Sequence, residues 1–336
     1  MDLKEALAKI GARTDLTGEE MRAVMNIIMS GEATPAQLGA FLMGMRVKGE
    51  TVGEIAAAVS ILREKMVRVS VPPGAIDIVG TGGDGGGTLN ISTASAIVVA
   101  SAGVPVAKHG NRALSSKSGA ADVLQALGVK IDLTPEQISR CVAEAGIGFM
   151  FASAHHPAMK HVGPARQELG TRTLFNLLGP QANPAGVQHY MLGVYDRKWA
   201  EPVAAALLAN RATDAWVVHG SDGLDELTTT GPSFVASIKD GNLTSFEVTP
   251  EQAGLPRSKP EELKGADPAH NAAALLALLE GKRGAYRDIV LLNAAAAFIV
   301  ADRAENLAGG AALAANAIDS GAARTTLRTL VKVSNA

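Results

Sequence analysis

The segment DIVGTGGDGGGTLNIST, Asp77 to Thr93, sets glycines at 80, 82, 83, 85, 86 and 87 around one aspartate, Asp84. Glycine destabilises regular elements, so such a cluster implies left-handed backbone or close approach of a ligand to the main chain. The apolar run Ile76 to Val79 before it reads as a buried strand, and Ser92 to Ala102 after it as a helix rich in Ala and Val. A glycine loop joining strand to helix aims free N–H groups at one point, with the positive end of the helix dipole behind them. Thr88, Asn90, Ser92 and Thr93 add side-chain donors at the same corner. Two readings stand on these residues alone, a flexible surface turn or an anion cradle, and the second suits phosphate. Neither of the commonest phosphate motifs fits. No lysine closes the loop as a P-loop requires. The dinucleotide spacing, forced onto Gly80, Gly82 and Gly85, would set Asp84 against a pyrophosphate unless a metal came with it.

Two further stretches carry polar chemistry. KHGNRALSSKSG, Lys108 to Gly119, leaves the end of a second strand with Lys108, Arg112 and Lys117 beside Asn111, Ser115, Ser116 and Ser118. It is either a solvated basic loop or, with the glycine loop, a surround for a ligand with several phosphates. HGSDGLDELTTT holds Asp225 and Glu226 just after another strand. They are either solvated carboxylates in a turn or oxygen ligands for Mg²⁺, which takes one or two carboxylates plus water and substrate phosphate. His155, His156 and His161 do not have zinc spacing, and the single cysteine, Cys141, excludes an internal disulfide and reads as a core residue.

These residues need a scaffold. Thr17 with Glu20, Thr34 with Pro35 and Gln37, and Thr51 with Glu54 are helix-start signals, so the first seventy residues are expected to be helical. Met21, Met25, Met29, Met43 and Met45 read as core filling. VSVPPGA, Val69 to Ala75, reads as a linker. After it strands alternate with helices: strands at 103–108, 147–152 and 213–220, helices between them, an antiparallel patch after residue 226, and three helices from about Asn271 to Val333. KHVGPARQELGTRTLFNLLGP interrupts the alternation with helical segments that return to the N-terminal unit. At 336 residues, 47% hydrophobic and net charge −2, the chain is expected to form two globular domains with no global attraction to nucleic acid or membrane. It has neither a membrane-length apolar run nor a signal-peptide core near its start, and is expected in the cytoplasm.

GTGGDGGGTLNIST, KHGNRALSSKSGAADVLQALG, HHPAMKHVGPARQELGTRTLFNLLGPQANP and GSDGLDE, in this order and spacing, resemble the anthranilate phosphoribosyltransferase family across nearly the whole chain. The resemblance implies a small N-terminal helical domain, residues 1–70 joined by segments near 164–184. It also implies a large α/β domain, 75–336, with a central, mostly parallel sheet of the nucleoside phosphorylase/phosphoribosyltransferase type. The implied substrates are 5-phosphoribosyl 1-diphosphate and anthranilate, with two Mg²⁺ ions per subunit, a homodimer, and a product used in tryptophan synthesis. By position, the resemblance assigns the phosphoribosyl donor to Gly80, Gly83, Asp84, Thr88, Asn90, Ile91, Ser92, Thr93, Lys108, His109, Gly110, Asn111, Arg112, Ala113, Leu114, Ser115, Ser116 and Ala120. It gives anthranilate to Gly80, His109, Asn111 and Arg166, and Mg²⁺ to Ser92, Asp225 and Glu226. Many members carry Ser-Val at Ala113-Leu114 and serine at Ala120, so contacts there fall to backbone N–H groups. The rivals are a nucleoside phosphorylase of the same broad fold, against which KHGNR and the Arg166 segment speak, and a silent relative that binds nucleic acid.

Overall fold

The protein is described by a computed structural model over residues 1–113 and 117–336; Leu114, Ser115 and Ser116 lie outside the described residues. Four helices open the chain: α1 Leu3–Gly11, α2 Gly18–Met29, α3 Pro35–Lys48 and α4 Val52–Lys65. Each begins with a reciprocal cap. Asp2, Thr17, Thr34 and Thr51 accept the backbone N–H three residues on, where a Glu or Gln returns to the cap N–H. Met21, Met25, Met29 and Met45 are buried with Phe41 and Leu42, as core filling requires, and Met43 is half-buried.

The α/β part runs β1 Ile76–Gly80, α5 Ile91–Ser101, β2 Val106–Gly110, α6 Ala120–Ala126, α7 Pro135–Ala145 and β3 Ile147–Phe151. Three short helices follow, α8 Ala152–His155, α9 Gly163–Leu169 and α10 Leu174–Leu178, and both α9 and α10 pack back on the N-terminal helices. Then come β4 His189–Gly193, α11 Ala200–Ala209, β5 Asp214–Gly220, and the hairpin β6 Ser233–Lys239 and β7 Asn242–Val248. The chain closes with α12 Pro268–Leu279, α13 Ala285–Val300, α14 Leu307–Asp319 and α15 Ala322–Ser334.

Three expectations change. The C-terminal segment forms four helices, because Gly281 and Gly284, Asp302, and Gly321 adopt positive φ and break an alanine-rich run that reads as more continuous. Strand β2 starts three residues later than expected, at Val106, and takes in His109 and Gly110 as well as Lys108. Strand β4, absent from the sequence reading, sits in the middle of the sheet.

The seven strands lie in the order β3-β2-β1-β4-β5-β6-β7, parallel through β5 and antiparallel at β6 and β7. Chain direction around the sheet reverses between β1 and β4. In open α/β sheets the crevice at such a reversal, beyond the carboxyl ends of the strands, is where ligands bind. Gly80 and Gly193 close those two strands and face each other in register. Arg63 on α4 fixes the helical part to the sheet, donating to the Gln181 carbonyl at 2.9 Å and the Tyr190 hydroxyl at 3.0 Å.

Candidate active site

The acidic loop after β5 lies directly over the Gly80–Gly193 pair. A Cβ on Gly80 would stand 2.3 Å from Asp225 Oδ2, and one on Gly193 would stand 1.5 Å from the Asp225 carbonyl oxygen. Only bare backbone lets the carboxylate reach the strand ends. Asp225 is thereby buried, and its Oδ2 accepts the Gly82 N–H at 2.7 Å. Gly193 was not visible as a site residue in the sequence, because its strand went unread.

Around this contact the predicted donor-binding residues converge. The glycine loop bends with Gly82, Gly83, Gly85 and Gly87 at positive φ, and Asp84 Oδ1 accepts the Gly86 N–H at 3.1 Å. Helix α5 starts at Ile91 with no side-chain cap on its N-terminus. The Glu226 carboxylate takes the Ser92 N–H, and the Thr93 hydroxyl is buried without a partner. A helix start that its own N-cap residue, Asn90, leaves without a side-chain bond, behind a glycine loop, suits an anion. Asn90 is committed to the protein: its Oδ1 accepts from Asn271 Nδ2 at 2.9 Å, and its Nδ2 donates to the Ser118 carbonyl at 3.3 Å. Thr88 forms an isolated bridge with Lys264 beside it.

Lys108 stands under this cradle, not in a solvated loop. It is 2% exposed, and its Nζ donates to the Ile78 carbonyl at 2.5 Å and to Ser92 Oγ at 3.3 Å. Burial lowers its pKa, while Asp77, Glu226 and Asp225 pull the other way. Asp77, buried on β1, accepts the His109 N–H at 3.0 Å and Asn183 Nδ2 at 2.7 Å; burial pushes its carboxyl up to about 7. Asn183 also donates to the Ala107 carbonyl at 2.9 Å, locking β1 to β2 below the site.

Beyond β2 the expectations divide. Arg112 pairs with Asp122 at 2.9 Å, and the Ala113 N–H donates to the same carboxylate at 3.0 Å. The Ala113 N–H is therefore already engaged and is not a free phosphate donor in this arrangement. Ala120 opens α6 beside Gly110. The calls on Leu114, Ser115 and Ser116 fall outside the described residues. Asn111 is exposed, its Oδ1 holding the Arg112 N–H at 2.8 Å while its Nδ2 makes no bond among the described residues.

On the helical side, Arg166 on α9 lies 5.7 Å from the Phe175 ring centre and has no hydrogen-bond or carboxylate partner among the described residues. Burial lowers its pKa. His109 is buried against His156, ring centres 5.1 Å apart, with its Nε2 unpartnered. Burial, then His156 and His155, holds its pKa well below the usual imidazole range, which favours the neutral ring. The contacts join the glycine loop, α5, Lys108 and the acidic pair into one cluster. Arg166 and Asn111 are not bonded to that cluster.

The chain matches the helical bundle domain of the glycosyl transferase family over residues 4–66 and that family's α/β domain over 72–324. It is 60% identical over 335 residues to an anthranilate phosphoribosyltransferase of Rhodopseudomonas palustris strain BisA53, covering 100% of this chain and 99% of that one. The chain belongs to the anthranilate phosphoribosyltransferase family. The crystal structure of the Thermus thermophilus member superposes with TM-score 0.94 at 43% identity, covering 100% of both chains. A Saccharomyces cerevisiae member, in complex with PRPP and Mg, gives 0.91 at 27% identity over 99% of this chain and 98% of its own. The family's two-part architecture, small helical and large α/β, is the one described above.

Mg²⁺ can be tested against the residues present. Among the described residues no three His, Cys, Asp or Glu side chains form a metal cage. The acidic pair is nonetheless crowded. Burial and then Asp84 push Asp225 up to about 7, and burial and then Asp225 push Glu226 well above the carboxylate range. A hard-oxygen donor set with spare negative charge and few protein ligands suits Mg²⁺ completed by water and phosphate. The residues fit.

Gly83→Val tests the loop. Gly83 has φ +72°, which a branched side chain strains. The variant is expected to bind 5-phosphoribosyl 1-diphosphate about five- to tenfold more weakly, equivalent to about 1–1.4 kcal/mol. Calorimetry on the folded variant checks it, and unaltered binding would return the loop to a simple surface turn.

Proposed function

We propose that this protein transfers the 5-phosphoribosyl group from 5-phosphoribosyl 1-diphosphate to the amine of anthranilate, releasing diphosphate, as a step of tryptophan synthesis. The observation that carries the reading is Asp225 seated on the paired glycines at the sheet's reversal point, beside the N-terminus of α5. Residues 80–93 receive the diphosphate and ribose. Backbone N–H groups there other than those of Gly82, Gly86 and Ser92, which carboxylates already hold, are left for the anion, and Thr93 Oγ1 finds there the partner it lacks. Ser92, Asp225 and Glu226 would hold Mg²⁺, which when bound neutralises charge gathering on the departing diphosphate. Lys108 fixes Ser92 and balances the carboxylates from below. Arg166 holds the anthranilate carboxylate, with Asn111 and neutral His109 at its flank, and so aims the amine at ribose C1. The C1–O bond to diphosphate breaks, the C1–N bond forms, and the nitrogen then loses a proton. The arylamine is neutral near pH 7, so orientation replaces a strong base, and none is assigned.

The same reading takes residues 1–70 with 164–184 as one unit and 75–336 as the other, two Mg²⁺ ions per subunit, a homodimer and a cytoplasmic location. Among the described residues no helix is long and apolar enough to cross a membrane. The test is loss of anthranilate fluorescence on incubation with 5-phosphoribosyl 1-diphosphate and Mg²⁺. Phosphorolysis of nucleosides without that loss would select the phosphorylase instead.

A further inference from the structure

We infer that Arg172 is a positioning residue that sets the glycine loop and ties it to the helical domain; this rests on the reading that the loop binds the phosphoribosyl donor. Arg172 lies between α9 and α10, two residues beyond Gly170, the left-handed cap that ends α9. Its side chain is exposed, yet the residue is held at three points, two through the side chain and one through the backbone. Nη2 donates to the Gly83 carbonyl. The guanidinium carbon lies 4.2 Å from the centre of the Tyr195 ring. The backbone carbonyl accepts from Arg46 Nη1 on α3 at 2.7 Å, and the same Arg46 nitrogen also bonds Thr171 Oγ1.

The Tyr195 anchor is itself fixed. The Tyr195 N–H donates to Thr81 Oγ1 at 3.0 Å, and the Thr81 N–H donates to the Gly193 carbonyl at 2.9 Å. Tyr195 is therefore a platform built on the strand ends that carry the site. The loop is the soft partner. A glycine-rich segment gives up much conformational freedom when a ligand orders it, and outside contacts lower that cost beforehand. Within a trans peptide the C=O and N–H point in opposite directions. Holding the Gly83 carbonyl toward Arg172 thus turns the Asp84 N–H away from it and fixes the orientation of that peptide.

Arg172 also shares a short segment with Arg166. Helix α9 carries the proposed anthranilate anchor, and six residues on the same stretch grips the donor loop. The Arg46 contact thus carries the seating of the helical domain to that loop.

Steady-state kinetics on wild type, Arg172→Ala, Arg172→Lys, Tyr195→Ala and the double Ala variant test this. Arg172→Ala is expected to raise the donor KM about tenfold, the scale of a charge-assisted hydrogen bond with a cation–π contact. The anthranilate KM at saturating donor and the thermal midpoint should hold. Lysine should recover part of the loss, since it keeps charge but not the planar fork. The double variant should be within about twofold of Arg172→Ala, because Tyr195 acts through the arginine. An unchanged donor KM, or additive losses at 172 and 195, overturns the inference. Should the Ala variant not fold, Arg172→Lys and Arg172→Gln carry the same comparison. Failure of wild type to bind the donor at all would sink the functional reading instead.

Discussion

Asp225→Asn combined with Glu226→Gln is expected to lower kcat at ordinary Mg²⁺ by at least about 10²–10³-fold, the scale set by removing one preorganised electrostatic contact from a transition state. The fold should survive. Neither carboxylate carries hydrophobic core, and both are held in a position that burial and mutual repulsion disfavour. Active sites keep such groups because the ligand resolves the conflict, so the variant's unfolding midpoint without Mg²⁺ should not fall. Asp225 is the more constrained of the two, since an amide there would set an NH₂ or a weaker acceptor against the Gly82 N–H now held at 2.7 Å. The single Asp225→Asn change should therefore alter both the Mg²⁺ requirement and the donor KM, because the loop and the acidic pair share that hydrogen bond. Initial rates across a Mg²⁺ titration, with far-UV circular dichroism on each variant, give the answer. Normal turnover with an unchanged Mg²⁺ requirement would remove the pair from the site.

Much of this arrangement was legible in the residues, for specific physical reasons. The capping boxes at Thr17, Thr34 and Thr51 declare helix starts locally, and the structure makes every one of them. The strand–glycine loop–helix order from Ile76 to Ser101 is also local. What escaped depends on partners distant in sequence. Strand β4 is five residues long, and its membership comes from pairing with β1 and β5 on either side, not from its own pattern. With it escaped Gly193, whose need for glycine comes from Asp225 thirty-two residues later. Lys108 illustrates the same limit. A lysine beside His, Asn and Arg reads as part of a basic loop, but strand register places it in the interior against Asp77 and Ser92. Arg172 sat within a quoted motif without a role, because neither Gly83 nor Tyr195 is near it in the chain. The role given to Arg166 came from the resemblance and not from spacing, and the structure adds an unpaired, partly desolvated guanidinium.

That state of Arg166 sets the expected outcome of replacing it. Arg166→Ala should raise the anthranilate KM far more than the KM for the phosphoribosyl donor. The loss of a charge-assisted hydrogen bond, about 1.5–3 kcal/mol, corresponds to about ten- to a hundredfold in affinity. Little of that loss should appear as instability. In the free protein the guanidinium lies 5.7 Å from the Phe175 ring centre and has no hydrogen-bond or carboxylate partner among the described residues, so removing this half-buried charge relieves desolvation. The turnover number should fall as well if the same fork that holds the carboxylate also aims the amine at C1, since a misdirected nucleophile lowers kcat and kcat/KM together. Lysine should restore only part, keeping the charge but losing the bidentate geometry. Kinetics for both substrates in wild type, Ala and Lys forms separate these effects. If Arg166→Ala weakened only the phosphoribosyl donor, this arginine would belong to the diphosphate side of the cleft, and the aromatic acid would need another anchor.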